Sequence, residues 1–81
     1  MHKLVYYGEL RELTHMREQE SGASSMKDLI KEIGARHGAA AAKTARRSTI
    51  TLNGVRVDNP NSRDPLPEDS EICFFPLCSG G

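Results

Sequence analysis

The sequence predicts an α+β fold, a mixed sheet of four to five strands with one main helix packed on one face. Three observations predict it. Short β-branched and aromatic runs stand near both ends, KLVYY at 3–7 and EICFF at 71–75. Between them Met26, Leu29, Ile30 and Ile33 fall at helical spacing and form one apolar stripe. Asn53-Gly54 lies between alternating apolar residues, the strongest short signal for a hairpin. A single long helix among strands in a short chain implies a sheet covered on one side.

Taken in order, KLVYY stops at Gly8 and reads as a first strand. ELRELTH, 9–15, is polar with leucines three apart, a turn with helical character. MREQES, 16–21, reads as a weak edge strand. Ser25 is placed to cap the main helix, and Asp28 three residues on completes a capping-box pattern. Gly38 is its stop signal. The alanines at 39–42 and KTARR beyond them favour helix, as an extension or as a short second helix. Lys43, Arg46 and Arg47 read as a solvated face, with partner docking as the alternative. In STITLNGVRV, 48–57, Ile50, Leu52, Val55 and Val57 are expected inward and Thr49, Thr51 and Arg56 outward. A loop rich in Pro, Asn, Asp and Ser, 58–70, leads to the last strand at 71–75.

Eighty-one residues make one domain with a small core. Eleven Lys plus Arg balance eleven Asp plus Glu, which argues against nucleic-acid binding. No apolar run approaches the roughly 18 residues that span a bilayer, and the opening MHKLVYYGEL is too short in apolar residues for a secretory leader. A cytoplasmic protein is expected. Cys73 and Cys78 share one extended segment, about 16 Å apart at about 3.3 Å per residue, beyond the roughly 7 Å a disulfide tolerates. Both thiols are expected free, and no metal-ligand set is visible. His2, His15 and His37 read as surface or helix-end residues.

Side-chain alternation divides the outer strands. With Leu4, Tyr6, Ile72 and Phe74 facing the helix, Val5, Tyr7, Cys73 and Phe75 face away and form an apolar patch of the kind that marks an interaction site. Residues 1–75 are expected to form the domain and 76–81 a flexible tail. Pro76 cannot donate to a ladder and releases the chain from the sheet. Six residues then reach about 20 Å. Gly80 and Gly81 lack Cβ and fit a narrow channel, so the carboxylate of Gly81 is the one reactive group delivered. An activating enzyme could adenylate it for attack by sulfur or an amine.

LVYYGELREL, SSMKDLIKEI, LNGVRVD, PLPEDSEICFFP and the terminal Gly-Gly together resemble the molybdopterin synthase small subunits, within the ubiquitin-like β-grasp sulfur carriers. The resemblance covers essentially the whole chain and is weakest at 39–47. It implies that Gly81 is adenylated, with ATP, by a ubiquitin-activating-like adenylyltransferase and becomes a thiocarboxylate, and that the small subunit binds no cofactor and no metal. It implies insertion of Cys78, Ser79, Gly80 and Gly81 into the large synthase subunit, in a heterotetramer of two small and two large chains. There sulfur passes to a pyranopterin precursor on the way to the dithiolene of the molybdenum cofactor. Tyr7, Arg11, Phe75 and Pro76 match partner-binding positions. Arg56, Cys78 and Glu68-Asp69-Ser70 depart from the family pattern. Sulfur carriage for thiamine or tRNA thiolation, and protein modification through isopeptide bonds, are the alternatives.

Overall fold

The computed structural model describes residues 1–76. Its elements are β1 (His2–Tyr6), α1 (Glu9–Thr14), β2 (Glu18–Ser21), α2 (Met26–His37), α3 (Ala39–Arg47), β3 (Thr49–Leu52), β4 (Val55–Arg56) and β5 (Glu71–Phe75). The five strands form one sheet in the order β2-β1-β5-β3-β4. The central pair β1–β5 is parallel, with Leu4 opposite Ile72 and Tyr6 opposite Phe74; the other pairs are antiparallel. This is the mixed sheet that the sequence predicts, in a β-grasp arrangement.

The helix stripe behaves as its spacing requires. Met26, Leu29, Ile30 and Ile33 are buried against Leu4, Tyr6, Ile50, Ile72 and Phe74. Ser25 caps α2, its Oγ accepting from the Asp28 N–H at 3.2 Å. The Asp28 carboxylate takes the Ser24 hydroxyl at 3.3 Å, so the box is not closed reciprocally. Gly38, at φ 99°, ends α2. The alanine run starts a separate helix there, and Ala41 and Ala45 of α3 enter the core. A Cβ on Gly34 would stand 3.1 Å from that of Ala42, so small residues let α2 and α3 approach closely.

The hairpin turns at Asn53 (φ 51°) and Gly54 (φ 86°), both in the left-handed region that its turn demands. One expectation fails there. Val55 is 70% exposed, although it pairs with Leu52 across the turn. β4 is a two-residue edge strand, and no described side chain covers Val55. Leu52 and Val57 do pack on the core.

His2 is the second correction. It is buried, its Nδ1 accepting the Ser70 N–H at 3.1 Å, because parallel pairing brings the turn before β5 over the chain start. His15 is an exposed left-handed cap after α1, and His37 closes α2 as expected. The His37 Nε2 lies 2.8 Å from Gln19 Oε1, which also accepts the Tyr6 hydroxyl at 3.0 Å. Burial, then Arg36 and His15, holds His37 below the ordinary imidazole value.

Burial, reinforced by the Glu32 carboxylate and opposed by Arg36, pushes the Tyr6 phenol up to about 12. The neutral phenol is the form that the fold favours. Its contribution to stability is therefore complete below pH 10 and is lost as pH rises from 10 through about 12. In a Tyr7→Phe chain, where Tyr6 is the remaining tyrosine, phenolate absorbance is expected to rise near pH 12 when folded and near 10 in denaturant. Equal midpoints would show that the hydroxyl is hydrated.

Candidate functional site: the uncovered sheet face

All three helices pack on one side of the sheet: Leu10 of α1, the α2 stripe and the α3 alanines share one core. Loop 58–70 joins them. The Ser62 carbonyl accepts the Lys27 N–H at 3.1 Å, and the Leu66 N–H donates to the Ser24 carbonyl at 2.8 Å. The loop therefore lies against the start of α2, and no described element covers the opposite sheet face.

On that face the register sets Val5 beside Cys73 and Cys73 beside Thr51, with Thr49 beside Phe75. Tyr7 extends the ladder past β1, its N–H donating to the Phe74 carbonyl at 3.1 Å. Its ring thereby comes level with Phe75. The two stack with centroids 4.6 Å apart and planes 11° from parallel. Arg11, one turn into α1, lays its guanidinium 5.0 Å from the Tyr7 ring centre. The Arg11 Nε–H donates to the Tyr6 carbonyl at 2.8 Å, which fixes the cation in place. Stacking and cation–π contacts are each worth about 0.5–1.5 kcal/mol. Phe75 remains 39% exposed. The result is a pre-ordered aromatic edge with a cation at its side.

Pro76 adjoins this edge. A Cβ on Gly8 would stand 3.8 Å from the Pro76 Cδ, so the point where the chain leaves β5 rests against the turn into α1. Gly8 has φ 54° and ψ −133°, a conformation that side chains disfavour strongly. Its part in shaping the exit was not read from the sequence; the signal was a glycine between YY and ELREL. Gly8→Ala is expected to cost roughly 1–3 kcal/mol, measurable by denaturant unfolding. An unchanged midpoint would show that the turn relaxes freely.

Tyr7, Arg11 and Phe75 are thus brought together, with Pro76 beside them against Gly8. Cys78, Ser79, Gly80 and Gly81, and the expected flexibility of the tail, lie outside the described residues. Cys73 is a free, half-buried thiol on the same face. Among the described residues no three His, Cys, Asp or Glu side chains gather as metal ligands. No helix there is long and apolar enough to cross a membrane.

Solved structures share this fold. SAMP1 from Haloferax volcanii superposes with a TM-score of 0.72 at 17% identity, covering 99% of this chain and 98% of that one. Molybdopterin converting factor subunit 1 from Pyrococcus furiosus gives 0.68 at 23%, covering 93% and 94%. A chain of the complex of subunits 1 and 2 of the molybdopterin-converting factor from Helicobacter pylori 26695 gives 0.70 at 21%, covering 99% and 97%. Among curated proteins no sequence matches the chain. The model of the ThiS family matches residues 4–81, which takes in both strands of the aromatic edge and the final glycines. The chain belongs to the ThiS family of ubiquitin-like sulfur carriers.

Proposed function

We propose that this protein carries sulfur as a thiocarboxylate on Gly81 and donates it to a pyranopterin precursor during molybdopterin synthesis. The observation that carries the proposal is the Tyr7–Phe75 stack, fixed by Arg11 at the place where the chain leaves the sheet through Pro76. A partner that grips this edge also fixes the start of the tail, so docking and delivery of the terminus become one event. The structural likeness to subunit 1 of a two-subunit molybdopterin-converting factor supports a large-subunit partner for that edge.

In the proposed sequence an adenylyltransferase joins the Gly81 carboxylate to AMP from ATP, releasing pyrophosphate. A sulfur donor then displaces AMP and leaves the thiocarboxylate. Cys78, Ser79 and Gly80 accompany Gly81 into the large subunit, in a heterotetramer of two small and two large chains. The body described here supplies recognition, and the catalytic groups belong to the large chain. The location is cytoplasmic, where that partner and ATP are available.

A second reading has its own support. The likeness to SAMP1, and to another structure described as small archaeal modifier protein 1, favours a protein modifier. One experiment separates the two. After co-expression with the activating enzyme, intact mass is expected to show sulfur replacing one terminal oxygen. Conversion of precursor by the large subunit then supports molybdopterin synthesis. Sulfur loading without conversion would redirect the proposal to another thiolation pathway, and conjugated protein ladders to modification.

A further inference from the structure

Charge is divided unevenly in this neutral chain. Residues 26–47, which form α2 and α3, hold six cations (Lys27, Lys31, Arg36, Lys43, Arg46, Arg47) against two acids (Asp28, Glu32), a net +4. The remainder therefore carries −4. Arg36 lies 4.0 Å from Glu32, but among the described residues Lys27, Lys31, Arg46 and the loop residue Arg63 have no carboxylate within ion-pair distance. All four are exposed. Lys27 and Lys31 are one turn apart on α2, so they line the same edge.

These cations surround two shallow clefts. One, of about 390 Å³, lies between Lys27, Lys31 and Arg46, with Ile30, Gly34 and Ala42 also lining it. The other, of about 330 Å³, shares Lys27 and Lys31 and is bounded by Arg63, Ser24 and Asp28. Ile30, Gly34 and Ala42 give the first cleft an apolar floor between the charged side chains.

We propose that this α2–α3 face docks an acidic segment of a partner protein that also carries an aliphatic side chain. Its carboxylates would pair with Lys27, Lys31 and Arg46, and its apolar group would cover the half-buried Ala42 and the aliphatic stems of Lys27 and Lys31. Charge complementarity and the apolar floor select that occupant together. A phosphate backbone matches the cations but not the floor. The face lies on the covered side of the sheet, away from Tyr7 and Phe75, so both surfaces can be occupied at once.

The test is a backbone-amide NMR titration of the full chain with three probes: a synthetic peptide of alternating Glu-Glu-Leu units, its Glu-Glu-Ser analogue, and a single-stranded oligonucleotide of equal charge. The expected result is saturable shifts centred on Lys27, Lys31, Ala42 and Arg46 with the leucine peptide, weakened by added salt. Lys31→Glu/Arg46→Glu is expected to lower that affinity by about tenfold while keeping the spectrum of a folded chain. Equal binding of the serine peptide or the oligonucleotide, or shifts centred elsewhere, overturns the proposal. Dilution-dependent shifts of the free protein at these residues also overturn it, because the occupant is then a second copy.

Discussion

Deletion of Gly81 is expected to bring sulfur transfer to background while leaving the fold intact. The reason is chemical. The proposed mechanism uses one carboxylate, and its reach from the sheet is set by the residue count between Pro76 and the terminus. Shortening by one residue withdraws the acyl group by about 3.3–3.6 Å, more than the roughly 1 Å misplacement that already costs about a hundredfold in a positioned reaction. Adding one uncleaved residue after Gly81 is expected to do the same, by turning the Gly81 carboxylate into a peptide bond and placing a side chain where the last glycine stood. Neither change alters a residue of the described core, whose buried apolar members among the described residues run from Leu4 to Phe74. Unfolding free energy should stay within about 0.5 kcal/mol. Precursor conversion with the large subunit and denaturant unfolding are the two measurements. Normal conversion by the extended chain would refute the carrier mechanism.

Phe75→Ala is expected to weaken binding to the large subunit by about 2 kcal/mol, near thirtyfold, the range of interface hot spots. Phe75 is 39% exposed and stacked on Tyr7, so it presents apolar area to a partner and holds the neighbouring ring still. Truncation removes both effects. The cost to folding should be smaller, since the ring lies outside the buried core. Tyr7→Phe keeps the stack and loses one hydroxyl, and it is expected to bind nearly as the native chain. Calorimetric titration of both variants separates ring packing from general damage. Native affinity for Phe75→Ala, with the fold retained, would show that the partner docks elsewhere.

The aromatic edge was legible because strand alternation is a local rule. Leu4, Tyr6, Ile72 and Phe74 had to share one face, and Tyr7 with Phe75 the other. What the periodicity left undecided was whether that second face stays open. Among the described residues the answer came from loop 58–70, which bonds to Ser24 and Lys27 at the start of α2. Its residues carry turn chemistry but no mark of where the loop lies. Arg11 was singled out through family resemblance; its hold on the Tyr6 carbonyl is a contact between strand end and helix that spacing does not reveal.

The sequence by itself determined the elements that close over few residues. Ser25 caps α2, Gly38 ends it, and Asn53-Gly54 turns the hairpin, because each need is met by the residue's own backbone or by one a few positions away. Tertiary structure alone decided that His2 is buried beneath Ser70, 68 positions away. It also decided that Val55 stays exposed at an edge, and that Gly8 lies against Pro76 at the exit. Those outcomes depend on which strands become neighbours, a global balance of burial that no local pattern encodes.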